Sequence, residues 1–500
     1  MNFSKSKYCK LCQCPKILWM DKYKPEAAEE DSSAEARFET GNEVGDLAMR
    51  LFGDFTEATA YSDDGALDLN ARIDKTRELL GKGADNICEA SFSFGGLYCA
   101  VDILRRCGDG YAIYEVKSST HVKHVYIIDV AYQKYVLERC GVKVTGTYVV
   151  NINPEYERHG DLDLNGLFKI TDVSEDIKDE YELVEGNLAA AEKLLADPSE
   201  PDTDIDVYCE SPYDCVYRKY CNALHNIPTP SVFDLYKLPL AKKVAAYKAG
   251  LVSFESVKDS ELCANMFRAR QVDFALNDRG TYIDKTGIAE FLDTLSYPLY
   301  FLDFETMQLA IPQFEGAKPY SQIPFQYSLH YIEKEGGEVK HKEFLAESGT
   351  DPRRAIAERL CEDIPRGVTT LAYNMSFECS RIKELARLFP DLSERLLDIC
   401  SGITDLIIPF RNGCYYNRAI GGSFSIKSVL PAMFPDDPEL DYHNLEGVHN
   451  GGEAMDVFPR IKSMPPEQAQ AARRNLLEYC KLDTLAMVKI WQKLEEVVKN

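Results

Sequence analysis

Apolar and polar positions follow two different periods along this chain of 500 residues. In "LYFLDFETMQ" (299–308) apolar and aromatic residues run into Asp303, Phe304 and Glu305, which predicts a largely buried strand. "PFQYSLHYIEKEGGEVKHKEFLAE" predicts two strands across an "EGGE" turn, and "DPRRAIAERLCEDI" an amphipathic helix. "TTLAYNMSFECSRIKELARLF" reads as a short strand, a turn and a helix beginning near Phe377. "AQAARRNLLEYCKLDTLAMVKIWQKLEEVV" reads as one long helix. Nearer the N-terminus, residues 97–105 and 111–118 predict strands joined by the hairpin turn "CGDG", followed by a helix over "VYIIDVAYQKYVLERCG".

These patterns divide the chain into an α/β module over 1–225, a helical linker over 226–289 and a second α/β module over 290–500. The linker begins with the prolines of "HNIPTPSVFDL" and continues into short helices such as "LAKKVAAYKAG" and "ANMFRARQVDFAL". "KPEAAEEDSSAEA" (24–36) predicts an acidic exposed loop, and "LADPSEPDTDID" (195–206) a second acidic connection.

Composition narrows the class of protein. The chain has no apolar run long enough to span a bilayer, so no membrane partner is expected. "MNFSKSKYCKLCQCPKILWM" lacks the apolar core of a secretory signal, which places the protein in the cytoplasm by expectation. There the sixteen cysteines are mostly reduced, and their clustering points to metal or iron–sulfur ligation rather than disulfides. A net charge of -24 argues against a basic surface that coats nucleic acid, yet it suits a site that binds phosphates through metal ions. Oligomeric state is not readable from these features.

Asp303 and Glu305 leave the strand on one face, with Phe304 on the other. Adjacent carboxylates repel and are costly to bury, and a hard divalent ion such as Mg2+ or Mn2+ resolves both problems. Tyr479 and Asp483 share a helix face four residues apart. This order, D-x-E on a first strand, Asn374 and Glu378 at a strand-to-helix turn, and Tyr-x3-Asp on a late helix, resembles the DnaQ-like 3'–5' exonucleases of RNase H-like fold, in their Tyr-bearing branch. The resemblance implies that Asp303, Glu305, Glu378 and Asp483 hold two metal ions and that Tyr479 orients the attacking water. Glu378 departs from the family's usual Asp, and the extra methylene shifts a carboxylate that must reach about 2.0–2.1 Å from a metal. The segment "DLIIPFRNGCYYNRAIGGSFSIKSVLPAMFP" resembles a bacterial domain family of unknown function. Its Arg411, Arg418 and Lys427 are candidate phosphate contacts.

In the first module Asp102 lies on one predicted strand and Glu115 and Lys117 on its neighbour, with Gln133 and Tyr135 on the following helix. Two carboxylates and a lysine so arranged suit metal-assisted phosphodiester hydrolysis, the acids holding the ion and the lysine positioning water. Cys14 precedes this region, and Cys209, Cys215 and Cys221 follow it at two equal gaps of five residues. Four cysteines suit tetrahedral zinc as well as a cluster. The one-plus-three layout around E-x-K resembles the iron–sulfur PD-(D/E)XK nucleases of the RecB type, similar to the CRISPR-associated RecB-like exonucleases. That resemblance implies a [4Fe–4S] cluster on Cys14, Cys209, Cys215 and Cys221, with Cys9 and Cys12 as spare neighbours. Many relatives carry a metal-binding His where this chain has Gly45, and Glu43 is nearby.

Together the resemblances imply a two-site, metal-dependent nuclease acting on nucleic acid, with single-stranded DNA as the expected substrate. The alternatives are an exoribonuclease of RNA turnover and a non-catalytic iron–sulfur scaffold that binds nucleic acid.

Overall fold

The computed structural model describes residues 3–30 and 34–499, without the side chains of residues 34–36. The chain is mixed α/β and divides into two compact units, Met1–Asn226 with Leu309–Tyr320, and Ile227–Gln308 with Ser321–Asn500. No helix among the described residues is long and apolar enough to cross a membrane.

The first unit is built on a seven-stranded mixed sheet: β1 (Phe3–Ser4), β2 (Thr56–Glu57), β3 (Asn86–Phe94), β4 (Leu97–Cys107), β5 (Gly110–Lys117), β6 (Val144–Ile152) and β7 (Phe168–Asp172). The path runs β2-β3-β4-β5-β6-β7, and β1 pairs with β4. Helices α1 (Lys5–Gln13), α2 (Pro15–Tyr23) and α3 (His124–Arg139) belong to it. The hydrophobic residues of α3 are buried on nearly every side, including Val130, Ala131, Val136 and Leu137, so it is a core helix between the sheet and its neighbours. The acidic stretch 24–36 is not a loop throughout. A 3-10 turn covers Pro25–Ala27 and an α-helix begins at Ala34, while residues 31–33 lie outside the description.

The second unit carries β8 (Thr281–Ile283), β9 (Leu299–Met307), β10 (Ile323–Ile332), β11 (Lys340–Leu345), β12 (Thr369–Ala372), β13 (Ile403–Asp405) and β14 (Tyr415–Asn417). Five of these form one sheet in the order β11-β10-β9-β12-β13, antiparallel among the first three and parallel from β9 through β13. The helices that matter for the site are α4 (Ser376–Leu388), α5 (Ile426–Met433), α6 (Gly451–Arg460) and the 34-residue α7 (Pro466–Lys499). Tyr300, Leu302 and Phe304 of β9 point into a core with Ile356, Leu360, Ile382 and Leu385. The alternate residues face α7, where Gln326 Nε2 of β10 donates to Leu476 O at 2.8 Å. Period-two alternation thus sends Asp303 and Glu305 towards α7.

The boundaries correct the expected helical linker over 226–289. Residues 227–289 are part of the second unit, with a small core of Val232, Leu235, Leu238, Phe254, Val257 and Val272. β8 pairs with β14, and Asp284 N–H donates to Cys414 O at 2.7 Å, so the segment is stitched into the fold that follows it. Proline spacing marked a break in the sequence, but it gives no information on these non-local pairings.

Candidate functional site

In the first unit the hairpin between β4 and β5 turns through Gly108, at φ +61°, and Asp109. Gly110 follows because a Cβ there would stand 2.3 Å from Lys143 O. The hairpin sets Asp102 beside Glu115, and Asp102 Oδ2 accepts from Val116 N–H at 2.7 Å. Glu115 is buried. Its Oε1 accepts from Lys117 Nζ at 2.6 Å and Lys5 Nζ at 2.7 Å, and its Oε2 from Gln133 Nε2 at 2.7 Å. Asp129 accepts from the same Lys117 and Gln133, each at 2.9 Å.

Asp102, Glu115, Lys117 and Gln133, all expected from the sequence, therefore meet. Tyr135 does not join them and packs on Tyr181, with ring centroids 6.0 Å apart. Lys5 and Asp129 are additions that the sequence reading missed. Asp129 had a visible signal, since it lies four residues before Gln133 on one helix face. Lys5 had none. It arrives because β1 pairs with β4 and Tyr132 donates to Phe3 O at 2.8 Å, which seats the start of α1 over the sheet. Glu43 is exposed, and a Cβ at Gly45 would meet nothing within 4 Å.

The electrostatics follow from burial. Burial, with Asp102 and Asp129 nearby, pushes Glu115 up to about 7. Burial also raises Asp129, but Lys117 and Lys5 more than offset it and hold that carboxyl below its usual range. Burial pulls Lys117 down, yet Asp129, Glu115 and Asp102 raise it well above an ordinary lysine. The site is a compact set of three carboxylates and two ammonium groups.

Cys14, Cys209, Cys215 and Cys221 line one small cavity with Met20 and Tyr217. The segments that bear them are tied together by Gln13 Nε2 donating to Tyr208 O and Tyr213 O at 2.8 and 2.7 Å, and Tyr217 hydroxyl to Asp21 at 2.8 Å. A buried Lys16 pairs with Glu200 at 2.7 Å. Burial, with the other three sulfurs nearby, pushes Cys215 up to about 11. Among the described residues no three of the four sulfurs lie within 4.8 Å of one another. Cys9 and Cys12 point elsewhere, towards Val125 O and Asn187 Nδ2.

In the second unit Asp303, Glu305 and Cys480 bring one ligand atom each within 4.8 Å of the others. Asp483 and Glu378 flank this group. Burial and Asp483 push Asp303 well up, with Glu305 and Glu378 adding to it, and Glu305 is raised in the same way. Burial takes Asp483 to about 6, against hydrogen bonds from Tyr442 and Tyr479 and the nearby Lys427. Burial takes Glu378 to about 8, and its Oε2 is buried with no hydrogen-bond partner. Four crowded carboxylates and an unpartnered oxygen form a donor set of the type that binds a hard cation.

Local structure explains how the parts arrive. After β12, Asn374 adopts φ +72°, a conformation Asn tolerates better than most residues, and its N–H donates to Asp405 Oδ1 at 2.8 Å. That turn starts α4 and carries Glu378 inward. On α7, Tyr479 and Asp483 face the site together, and Tyr442 hydroxyl donates to Asp483 at 2.6 Å. Lys427 Nζ donates to Tyr479 Oη at 3.3 Å and to His449 O at 3.2 Å. Of the three candidate phosphate contacts, Lys427 reaches this site. Arg411 instead donates to Asn374 Oδ1 at 3.0 Å, and Arg418 pairs with Asp278. Cys480, Tyr442 and Gly451 are further site residues that the sequence reading missed.

Gly451 opens α6, and a Cβ there would stand 3.5 Å from Glu305 Oε2 and 4.0 Å from Tyr479 Oη. An alanine therefore fits without displacing a neighbour but fills space beside the acids. Gly451→Ala is expected to leave the melting temperature about unchanged, since the added Cβ meets only ordinary contacts and the position is the first of its helix. Affinity of the acids for added Mn2+ is expected to fall at least about tenfold, a loss of about 1.4 kcal/mol, because the methyl group takes space beside Glu305. A thermal melt beside a calorimetric titration with Mn2+ checks both halves.

A family model described as a domain of unknown function (DUF2779) matches residues 300–425. The match takes in Asp303, Glu305, Asn374 and Glu378 and ends before Lys427, Tyr479 and Asp483. No curated protein matches the chain.

Proposed function

We propose that the chain is a metal-dependent nuclease with two phosphodiesterase sites, acting on single-stranded DNA. The observation that carries the reading is the convergence in the second unit of Asp303, Glu305, Glu378 and Asp483 with Tyr479, from β9, α4 and α7. A mixed sheet whose central strand bears the acid pair supports an RNase H-like, DnaQ-like domain. The sheet hairpin with Asp102, Glu115 and Lys117 supports a PD-(D/E)XK domain in the first unit.

In the second site Asp303, Glu305, Glu378 and Asp483 would hold Mg2+ or Mn2+, which when bound supplies activated water and charge neutralisation. Tyr479 orients the water from one face, and Lys427 fixes the Tyr479 hydroxyl while adding positive charge next to the phosphate. In the first site Glu115 and Asp102 would hold the ion. Lys117, anchored by Asp129, positions water against the phosphate, and Gln133 holds Glu115 and Asp129 in register.

The four cysteines would hold a [4Fe–4S] cluster that staples the N-terminal helices to residues 197–221. Tetrahedral zinc with Zn–S of about 2.3 Å puts its sulfurs about 3.8 Å apart. The cluster is preferred for the one-plus-three layout of the cysteines around the E-x-K hairpin, and metal analysis decides between the two.

Purified protein incubated with labelled single-stranded DNA and RNA, in Mn2+, Mg2+ or EDTA, tests the reading. Cleavage of DNA with metal and none in EDTA is expected. Preferential cleavage of RNA turns the reading to an exoribonuclease, and intact substrates in every metal leave the scaffold. With the second site disabled, Lys117→Ala is expected to lower the remaining activity at least about a hundredfold, the scale of removing a positioning and charge-stabilising group. Retained activity in that double variant means that the first site lies elsewhere.

A further inference from the structure

A cavity of about 650 Å3 opens in the second unit between the segment 229–275 and residues 416–428. Its lining carries three cations, Lys237, Lys243 and Arg418, in a chain whose net charge is -24. The one lining carboxylate is Asp234, and its Oδ2 is taken by Ser231 N–H at 2.7 Å and Ser231 Oγ at 3.1 Å. Lys237 has φ +44°, uncommon for a side chain of its kind, and is exposed at the cavity. Phe254 and Tyr416 back the cavity from the core and are buried.

The cavity wall is held tightly. Gln271 bridges it, donating to Asp234 O at 2.8 Å and accepting from Tyr236 N–H at 2.9 Å. Gly422 admits no side chain, because a Cβ would stand 2.3 Å from Asp234 O. From Gly422 the chain runs straight into α5, where Ser428 lines the cavity while its neighbour Lys427 reaches Tyr479 in the acid site. Cavity and acid site are therefore two sides of one short segment.

We infer that this cavity is a binding site for single-stranded nucleic acid, receiving the nucleotides next to the bond cut at Asp303 and Glu305. The inference rests on the reading of that acid site as a phosphodiesterase. The volume lies in the range of small-ligand sites and suits one or two nucleotides. Cations spaced along a cavity are what the backbone of a strand requires, and here Lys237 and Arg418 meet phosphates while Lys243, which donates to Phe233 O at 2.6 Å, holds the wall. Arg418 is drawn from Asp278 to phosphate on binding, an exchange between exposed partners.

The test uses the full-length protein with the first site disabled by Lys117→Ala, and compares a labelled oligonucleotide of about twelve residues with a dinucleotide, which is too short to fill both sites. Lys237→Glu with Arg418→Glu is expected to raise KM for the longer substrate at least about tenfold and leave kcat within about twofold. The dinucleotide's kinetic constants are expected to stay within about twofold. The dependence of log KM on log salt should become shallower by about 0.7 for each phosphate that the variant no longer neutralises. Lys237→Gln with Arg418→Gln gives the same pattern more weakly, and it serves if charge reversal unfolds the protein. Cleavage of both substrates with KM unchanged in the variants overturns the inference and leaves the acid site standing. Equal losses on both substrates assign the residues a structural role and also overturn it. If the parent protein cleaves neither substrate, the reading of the acid site fails and the inference falls with it.

Discussion

Asp303→Asn is expected to lower metal-dependent cleavage by the second site at least about a thousandfold, roughly 4 kcal/mol of transition-state stabilisation, while leaving the metal-free protein as stable as its parent or more so. The two effects have one origin. Asp303 stands among Glu305, Asp483 and Glu378, and each neighbour raises its affinity for a proton. Removing its charge relieves repulsion in the empty site and removes a ligand from the filled one.

The pH dependence has a definite sign. Asp303, Glu305, Asp483 and Glu378 all bind protons more tightly in the folded chain than an unfolded carboxyl does, with Asp483 near 6 and Glu378 near 8. The folded state therefore keeps protons that the unfolded state releases. The contribution of these four groups to stability in EDTA is expected to be highest at about pH 4 and to fall as pH rises to about 8, by about 1.4 kcal/mol per pH unit for each proton kept. Mn2+ binds only the folded site, so it should flatten that decline and raise the melting temperature at high pH. Asp303→Asn should show a shallower decline and little response to Mn2+. Tyr479→Phe should lose rate but keep the metal response, because it removes a hydroxyl and no ligand. Calorimetric titration with Mn2+ and melts across this pH range separate the two variants. Undiminished Mn2+ binding by Asp303→Asn would show that the acid pair is only a polar strand end.

The second large effect belongs to the cysteines. Cys215→Ser is expected to bleach a brown protein, remove absorbance near 400 nm and destabilise the first unit by several kcal/mol, since metal binding at a structural site contributes directly to folding. Activity of the first site should fall with it, although Cys215 is not among its residues. Lys5, which donates to Glu115, lies on α1, and α1 runs into Cys14. Loosening the cysteine end therefore loosens one of the two lysines on Glu115. Iron and zinc analysis of the parent protein decides the identity of the metal, and stoichiometric zinc without iron would overturn the cluster.

What could be read in advance was local. Period two put Asp303 and Glu305 on one face, and period 3.6 put Tyr479 with Asp483. Both rules act within one element, and both held. Cys480 shows their limit. One residue beyond Tyr479 it turns about 100° around α7, away from the Tyr479 face, yet β9 passes there and places Asp303 Oδ2 at 3.9 Å from its sulfur. Tyr442 and Gly451 come from a 3-10 turn and a helix start whose positions depend on packing far along the chain. Lys5 arrives through a two-residue strand pairing. The same cause hid the fate of residues 227–289, whose pairing with β14 joins positions more than a hundred residues apart.

The excursion Leu309–Tyr320 has a consequence in time. Ala310 belongs to the core formed by Val44, Ile103, Tyr114, Val150 and Phe168, and Arg158 exchanges backbone hydrogen bonds with Gly316 and Ala317 at 2.7 and 3.0 Å. The last strand of that sheet ends at Asp172, but the core it builds is not complete until residue 320 has been made. At the pace of translation, the roughly 150 residues between them take about 7–30 s. β9, with Asp303 and Glu305, has left the peptidyl transferase centre by then. The nascent first unit thus waits, with part of its apolar surface uncovered, on a segment that follows the first strand of the second, and a chain that terminates at residue 226 never receives it.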